Sequence, residues 1–228
     1  MSSALPLESH HEFAVSRPAM ISRWNRSRGK RIFDFLLGGA GLLVCLPLMA
    51  LVALVVRLSS AGPVFYRQWR VGQDNRPFQL LKFRTMTAKA SPGAPSLTRA
   101  GDNRVTRVGR VLRRWKLDEL PQLLNVVAGQ MSLVGPRPDL SEYLEGLDAG
   151  LKQVSQLRPG ITGWASIRYR NEEELLAQVP ASELKQFYCA RVLPDKVRLD
   201  LEYAAKASLV SDCALLCTTL RTVVSHKS

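Results

Sequence analysis

The stretch that decides the fold runs from Ile32 to Val56 and reads IFDFLLGGAGLLVCLPLMALVALVV. Asp34 is the one charged residue in it. A straight helix needs about 20 apolar residues to cross the hydrocarbon core of a bilayer, so this run is long enough for a membrane helix. Pro47 lies past its middle and removes a backbone hydrogen bond, which predicts a bend at that point.

Basic residues flank the run on both sides. Those before it are Arg23, Arg26, Arg28, Lys30 and Arg31, and those after it are Arg57, Arg67 and Arg70. Basic residues near a membrane segment prefer the cytoplasmic side, and a single span can keep only one flank there. We therefore expect residues 23–58 to form a re-entrant helix that enters the inner leaflet, bends at Pro47 and returns.

Other interpretations of the run fit less well. A cleaved signal peptide has a shorter apolar region that begins nearer the N-terminus. A buried core helix usually carries a polar stripe, whereas this run is apolar all round. A single straight span is the remaining alternative.

The charge of the chain points to an anionic partner. Its 228 residues include 32 Lys and Arg against 19 Asp and Glu, a formal net charge of +13. This balance favours nucleic acid, anionic lipid or a phosphorylated substrate. Attraction to the anionic cytoplasmic leaflet explains the basic residues just before the run, but explains those embedded in the folded part less well.

The cysteines and histidines indicate neither a metal site nor a histidine base. No C-x-x-C pair occurs among the four cysteines, which are Cys45, Cys189, Cys213 and Cys217. Reduced core cysteines agree with a cytoplasmic domain. The histidines all lie in the tails, at His10, His11 and His226.

The rest of the chain predicts a mixed α/β fold that is mostly helical. Residues 1–22 are expected to be a flexible tail. Two short strands at 63–68 and 78–84, joined by a turn at 71–75, predict a β-hairpin. Loops are expected at 87–103 and 158–164, and a short apolar run ending in a rigid turn at 131–138. Helices are predicted at 104–115, 118–127, 139–151 and 175–206, the last with breaks at Pro180 and Pro194.

The apolar stretch 207–224 is expected to lie against the core or the membrane surface. Together these elements predict a compact cytoplasmic domain over residues 59–228, with amphipathic helices at the membrane interface.

Asp118 and Glu119 are adjacent acids in the segment KLDELPQ, residues 116–122. One explanation is structural: Asp118 caps a helix, Glu119 lies in its first turn, and the positive helix end stabilises both. The other is chemical, because basic residues surround the pair: Arg110, Arg113, Arg114, Lys116, and Arg137 in the stiff turn GPRP. Both explanations stay open on these residues alone.

Cations beside paired carboxylates suit phosphate chemistry. One carboxylate can hold Mg²⁺, which bridges phosphate oxygens, and the other can attack phosphorus. Arginines bind phosphate oxygens with paired hydrogen bonds. The chain has neither G-x-x-x-x-G-K-[ST] nor G-x-G-x-x-G, so a P-loop or a Rossmann fold is not expected.

Six segments carry a resemblance to a known family. They read KRIFD (30–34), GPVFYRQ (62–68), KFRTM (82–86), LDELPQ (117–122), GQMSLVGPRP (129–138) and RPGITGW (158–164). In this order they resemble the monotopic phosphoglycosyl transferases, the bacterial sugar transferase family, in its minimal form. Each segment alone is weak, but the six together are specific.

The resemblance implies an enzyme of the bacterial inner membrane with its catalytic domain on the cytoplasmic face. Members transfer a sugar 1-phosphate from a UDP-sugar to polyprenyl phosphate, usually undecaprenyl phosphate, and release UMP. This reaction is the first membrane step of polysaccharide, exopolysaccharide or glycoconjugate assembly. The implied partners are these substrates and membrane lipid, and a homo-oligomer is compatible with them.

The resemblance also assigns roles to residues. It implies that Asp118 is the nucleophile that forms a covalent aspartyl-phosphosugar intermediate, and that Glu119 binds Mg²⁺. The implied phosphate-binding residues are Arg113, Arg137, Lys82 and Arg84. The implied membrane-interface residues are Lys30, Arg31, Asp34 and Pro47.

The chain departs from the family pattern in two places. Leu46 precedes Pro47 where members often have Ser, which affects the angle of the bend. Ser166 follows GWA where members often have Gln, which affects recognition of the sugar.

The alternative function is a membrane-tethered, non-catalytic protein that binds anionic lipid or nucleic acid by charge. No stacking or groove-reading motif accompanies the basic residues, so nucleic acid is not the expected partner.

Overall fold

The computed structural model describes residues 20–87, 97–138 and 149–225. Parts of three predicted segments lie outside these ranges: most of the tail at 1–22, much of the loop at 87–103 and most of the helix at 139–151. Within the described residues the fold is mixed α/β and mostly helical, as predicted.

Helix α1 runs from Arg28 to Ser59 and contains the whole apolar run. Ser27 caps its start, where the Ser27 hydroxyl accepts a hydrogen bond of 3.0 Å from the backbone N–H of Lys30. By length and composition, α1 is the one helix among the described residues that could cross a membrane. It continues as one element through Pro47, so the bend there stays a prediction.

Both ends of α1 contact the same folded unit. Near the start, a Cβ added to Gly38 would lie 2.9 Å from Cγ1 of Val126, so the small residue permits close packing. Toward the end, Val56 packs with Phe83 and Leu112 in one buried cluster. Large apolar side chains between these contacts are exposed, including Leu43, Val44, Leu46 and Leu48.

A β-hairpin follows α1, as the sequence predicts. Strands β1 (Phe65–Val71) and β2 (Pro77–Phe83) are antiparallel, and Phe65 lies opposite Phe83. The turn between them holds Asp74 and Asn75 at φ values of 54° and 60°. Asn and Asp tolerate this left-handed region better than other non-glycine residues, which favours a tight turn here.

The next elements are helix α2 (Arg107–Arg114), a 3-10 turn (Leu117–Glu119), helix α3 (Gln122–Val127) and strand β3 (Ser132–Val134). Strand β3 pairs in parallel with β4 (Gly160–Thr162).

The predicted loop at 158–164 is therefore wrong for residues 160–162. Glycines in this segment indicated a loop, but here they permit strand contact. A Cβ at Gly160 would lie 2.1 Å from the backbone nitrogen of Gly135.

Helices form most of the remaining chain. They are α4 (Ala149–Val154), α5 (Trp164–Arg168), α6 (Glu172–Ala177), α7 (Leu184–Phe187), a π-helical turn (Tyr188–Val192), α8 (Leu193–Lys206) and α9 (Leu209–Val224). Pro180 lies between α6 and α7, which confirms the break predicted there. Pro194 instead lies at the start of α8, where the missing N–H does not interrupt the helix.

The main core lies between β2, α3, β3, α8 and α9. Its buried side chains include Leu80, Val126, Met131, Val134, Tyr203 and Leu215. The 3-10 turn that carries Asp118 and Glu119 comes just before α3, so this core and α1 fix its position.

Candidate active site

The acid pair lies on the 3-10 turn before α3, and both side chains are buried. Asp118 is 6% exposed and Glu119 is 9% exposed. Lys116 begins the turn in the left-handed region, at a φ of 54°. Helix α3 starts only at Gln122 and has no side-chain cap, so the explanation of Asp118 as a helix cap is wrong.

Two cations converge on one oxygen of Glu119. Lys82 Nζ lies 2.9 Å from Glu119 Oε1, and an Arg137 nitrogen lies 2.8 Å from the same atom. Lys82 comes from strand β2, and Arg137 comes from the turn after β3. The fold thus brings together three of the predicted site residues, which are far apart in the sequence.

These surroundings separate the pKa values of the two acids. Burial alone would raise the pKa of Glu119, but the charges of Arg137, Lys82 and Lys116 outweigh it and hold the pKa well below its ordinary value. Burial raises the pKa of Asp118, and the neighbouring charge of Glu119 raises it further. The surroundings therefore favour the carboxylate form of Glu119, whereas the pKa of Asp118 lies above that of an ordinary aspartate.

One oxygen of Asp118 is available for chemistry. Asp118 Oδ1 is buried and has no hydrogen-bond partner among the described residues. A buried polar atom without a partner is costly, so such atoms often mark a functional site. Here the atom belongs to the residue that the resemblance assigns as the nucleophile.

Burial and the charge of Glu119 raise the pKa of Asp118, and the charge of Arg113 is among those that lower it. The Arg113 guanidinium donates 2.9 Å hydrogen bonds to Thr85 Oγ1 and to Glu173 Oε1. Helix α6 thus contributes Glu173 as a partner that the sequence did not single out.

Arg84 contacts a different part of the fold. Its guanidinium donates to the backbone carbonyls of Pro63, Val56 and Ser60, the last two at 3.3 and 2.7 Å. These bonds tie the end of α1 to the hairpin. Among the described residues these contacts lie at the end of α1 and not at the acid pair, so the role of Arg84 in phosphate binding stays a prediction.

Three of the residues predicted at the membrane interface, Lys30, Arg31 and Asp34, connect α1 to the rest of the domain by hydrogen bonds and an ion pair. Lys30 Nζ lies 2.5 Å from Asp212 Oδ2 on α9. Asp34 is fully buried and accepts hydrogen bonds from the Ser132 hydroxyl and the Leu133 N–H, both at 3.0 Å. The Arg31 guanidinium donates to two carbonyls at the end of α3, Val126 O and Val127 O. Pro47 is exposed on the middle of α1.

A cavity of about 190 Å³ adjoins the acid pair. Its charged lining residues are Lys116, Glu119, Arg137 and Arg170. Its other lining residues are apolar (Leu120, Leu123, Ile161, Ile167 and Val223) or carry a hydroxyl (Thr162, Ser166, Thr219 and Thr222). The sequence did not assign any α9 residue to the site. The only available signal was the apolar stretch 207–224, which fits a core helix or a membrane-surface helix equally well.

The donor set fits a magnesium ion shared with a substrate. Mg²⁺ prefers oxygen ligands and is commonly held by one or two carboxylates together with substrate phosphates. Asp118 Oδ1 lacks a partner among the described residues, and the charges of Arg137, Lys82 and Lys116 lower the pKa of Glu119, which favours its carboxylate form. No group of three or more His, Cys, Asp or Glu side chains suited to a metal occurs in the described part of the chain, so a substrate would have to complete the coordination.

Comparison with known proteins connects this geometry to a family. The family model described as "Bacterial sugar transferase" matches residues 25–226. The chain is 37% identical over 195 residues to the UDP-glucose:undecaprenyl-phosphate glucose-1-phosphate transferase of Escherichia coli (strain K12), which covers 84% of the chain. The chain spans only 39% of the length of that relative.

Two other relatives are similar over most of both chains. The "Uncharacterized sugar transferase EpsL" of Bacillus subtilis is 39% identical over 196 residues, covering 86% of this chain and 87% of EpsL. The "Exopolysaccharide production protein ExoY" of Rhizobium meliloti is 37% identical over 209 residues, covering 85% and 84%. The family model matches nearly the whole described fold, and these two relatives are similar over most of their length. The chain therefore belongs to the bacterial sugar transferase family.

Proposed function

We propose that the protein transfers a sugar 1-phosphate from a UDP-sugar to polyprenyl phosphate and releases UMP. The observation that carries this proposal is the buried acid pair, with an unpartnered oxygen on Asp118 and with Glu119 held by Lys82 and Arg137. The name of the E. coli relative describes a glucose 1-phosphate transfer to undecaprenyl phosphate. Another relative, from Aeromonas hydrophila, is named for N-acetylgalactosamine, so the names do not agree on one sugar.

In the first step, a carboxylate oxygen of Asp118 attacks the phosphorus that carries the sugar. The bond between this phosphorus and the bridging oxygen breaks, and UMP leaves with the bonding electron pair. The product on the enzyme is an aspartyl phosphosugar. Arg113 and Arg137 bind the phosphate oxygens and stabilise the charge that develops on them.

In the second step, a phosphate oxygen of the polyprenyl phosphate attacks the same phosphorus. The bond to Asp118 breaks, which restores the carboxylate and yields a polyprenyl diphosphate sugar. The covalent step divides one difficult transfer into two easier ones. No separate proton donor is required, which agrees with histidines found only in the tails.

Glu119 and a phosphate oxygen of the donor would hold Mg²⁺. When bound, the ion neutralises negative charge on the phosphates. Oε1 of Glu119 accepts from Lys82 and Arg137, so the other carboxylate oxygen, Oε2, would be the one to bind the metal.

We expect Glu119→Gln to raise the Mg²⁺ concentration that gives half-maximal activity by about tenfold or more, because an amide oxygen is a weaker ligand than a carboxylate. A magnesium titration of UMP release measures this. An unchanged magnesium requirement would remove Glu119 from the metal site.

The contacts of α1 support a re-entrant placement at the inner leaflet. A helix of 32 residues is about 48 Å long, longer than the hydrocarbon core of about 30 Å. If α1 crossed the bilayer, its two ends would lie on opposite sides. Yet Lys30 near one end and Val56 near the other contact the same domain. This favours both ends on the cytoplasmic face, where a lipid phosphate and a soluble nucleotide sugar can meet.

The pH dependence of transfer should reflect the raised pKa of Asp118. The nucleophile acts as a carboxylate, so activity falls as the pH falls through this pKa. We expect the acid limb of kcat/KM to lie above the ordinary aspartate value of about 3.9. As a control for unfolding, samples are held at each acidic pH and then assayed at neutral pH. Full recovery of activity shows that the acid did not unfold the protein irreversibly. An acid limb at or below the ordinary value would contradict the assignment.

Lys82 and Arg84 should respond differently to the same substitution. Lys82→Gln removes a charge beside Glu119 and is expected to lower turnover by about 100-fold. Arg84→Gln removes bonds to three backbone carbonyls, and we expect it to lower the free energy of unfolding by about 2 kcal/mol or more. Turnover and urea unfolding measured on both variants separate these effects. Equal stability losses would show that both residues are structural.

The direct test is UMP release by the detergent-purified full chain. It is supplied with Mg²⁺, undecaprenyl phosphate and, in turn, UDP-glucose, UDP-galactose, UDP-N-acetylglucosamine and UDP-N-acetylgalactosamine. UMP release that requires the lipid supports the proposal and identifies the donor. Binding of anionic vesicles that falls steeply with salt and needs no Mg²⁺, without UMP release, would favour the non-catalytic alternative.

A further inference from the structure

The cavity beside the acid pair combines a charged part with a mainly apolar part. Its charged lining residues are Glu119, Lys116, Arg137 and Arg170, and the hydroxyls of Thr162, Ser166, Thr219 and Thr222 also lie in its wall. Leu120, Leu123, Ile161, Ile167 and Val223 supply apolar walls. At about 190 Å³, it is smaller than the roughly 300–1,000 Å³ of pockets that enclose a whole drug-sized ligand. It therefore suits one apolar portion of a ligand whose charged portion lies at Glu119 and Arg137.

A threonine in the wall from α9 already has hydrogen-bond partners. The Thr219 hydroxyl is 2.8 Å from the carbonyl of Leu215, to which it donates, and 2.7 Å from the Thr162 hydroxyl. Thr219 therefore has little hydrogen-bonding capacity left for a ligand. A sugar ring needs partners for several hydroxyls, and burying hydroxyls without partners is costly. An isoprenoid chain has no such requirement and gains about 25 cal/mol for each Å² of apolar surface buried.

The opposite wall is shared with the membrane helix. Leu120 packs in the cluster formed by α1 residues such as Val52 and Val56. A Cβ at Gly41 of α1 would lie 3.9 Å from the Leu123 side chain, which is ordinary contact distance. The two leucines that line the cavity therefore also contact the helix proposed to enter the bilayer. One wall of the cavity therefore lies next to α1.

We propose that this cavity receives the first isoprene units of the acceptor lipid, with α9 as one wall. The proposal rests on the transfer reaction proposed above. The lipid phosphate lies toward Lys116 and Arg137, whose positive charges complement it. The chain beyond the cavity continues along α1 into the bilayer. Ser166 also lines the cavity, and its buried hydroxyl has no hydrogen-bond partner among the described residues. A sugar hydroxyl could bond to it and an isoprene unit could not, so a substitution of Ser166 distinguishes the two ligands.

The test compares KM values for the two substrates in three variants. Val223→Trp fills the cavity and is expected to raise the KM for undecaprenyl phosphate at least tenfold, with the KM for the UDP-sugar within twofold of wild type. Val210→Trp is the matched control, because Val210 is on the same helix but is 77% exposed. It should leave both KM values unchanged. Ser166→Ala should also leave the KM for the UDP-sugar unchanged.

Specific outcomes would overturn the proposal. An unchanged lipid KM in a folded Val223→Trp variant would show that the lipid binds elsewhere. A UDP-sugar KM raised at least fivefold by both Val223→Trp and Ser166→Ala would assign the cavity to the sugar. Thermal unfolding of each variant identifies any loss that comes from misfolding.

A binding experiment keeps the proposal independent of turnover. A farnesyl phosphate analogue with a photoreactive group on its first isoprene unit should label a peptide that contains Val223. Excess undecaprenyl phosphate should prevent this labelling. Labelling only of other peptides would overturn the cavity assignment. A wild-type chain that is labelled at Val223 but releases no UMP with any donor would overturn the proposed transfer reaction and would support lipid binding in the cavity.

Discussion

Replacing Asp118 with Asn should lower lipid-dependent UMP release by at least about a thousandfold, in line with the loss of catalytic groups that act as a unit. The amide is a poor nucleophile and cannot form the acyl phosphate. Stability should not fall, because Asp118 is buried with one oxygen unpartnered among the described residues. A neutral amide in this place loses less hydration energy than a carboxylate. We therefore expect the thermal unfolding midpoint to equal or exceed that of the wild type.

The matched control is Asp74→Asn, which makes the same chemical change in the turn of the β-hairpin. The Asp74 side chain is 55% exposed, and its φ of 54° suits Asn well. We expect this variant to keep full activity and stability. Wild-type turnover in the Asp118 variant would show that this residue is not the nucleophile. A lowered unfolding midpoint would show that the Asp118 carboxylate stabilises the fold.

The second large effect is expected at Asp212 on α9. This carboxylate is fully buried and is bonded to Lys30 Nζ at 2.5 Å, Tyr203 Oη at 2.7 Å and Trp24 Nε1 at 2.9 Å. Asp212→Asn removes the charge that compensates the buried Lys30. Breaking a buried ion pair in this way typically costs about 3–5 kcal/mol. We expect a loss of this size in the free energy of unfolding.

Urea unfolding in detergent, followed by tryptophan fluorescence, measures the loss. Glu202→Gln is the control, because Glu202 pairs with Arg198 on the surface of α8, with side chains 43% and 46% exposed. Exposed pairs contribute about 0–1 kcal/mol, so this variant should unfold close to wild type. The double variant Lys30→Met with Asp212→Leu should recover much of the loss, because neither charge is left unpaired. A single Asp212 variant as stable as wild type would show that the ion pair adds no net stability.

Local patterns were enough to predict several elements from the sequence. The long apolar run predicted α1, and alternating residues around Asp74 and Asn75 predicted the hairpin. Proline at position 180 predicted the break between α6 and α7. In each case the signal depends on neighbours within a few residues, where backbone conformation and hydrophobic periodicity act.

Long-range contacts could not be predicted in the same way. The sequence left a helix cap and a reactive pair both open for Asp118 and Glu119, and only the fold shows Lys82 and Arg137 bonded to Glu119. Arg84 is two residues from Lys82 in the same motif, yet it binds the backbone at the end of α1. The position of strand β2 in the fold determines that Lys82, and not Arg84, contacts Glu119. The lining residues on α9, which are Thr219, Thr222 and Val223, belong to none of the motifs that pointed to the site.

The ion pair between Lys30 and Asp212 has a consequence for the order of events during synthesis. The two residues are 182 positions apart. At about 5–20 residues per second, the ribosome needs roughly 10–40 s to add the partner after Lys30 has been made. During this interval the apolar helix is complete, but the carboxylate that neutralises its first turn does not exist. For a helix that enters the bilayer as proposed, Lys30 would then stay hydrated at the bilayer surface until α9 docks. Insertion of the helix would thus precede closure of the domain around it, and a chain that stalls before residue 212 would hold the membrane helix without completing its site.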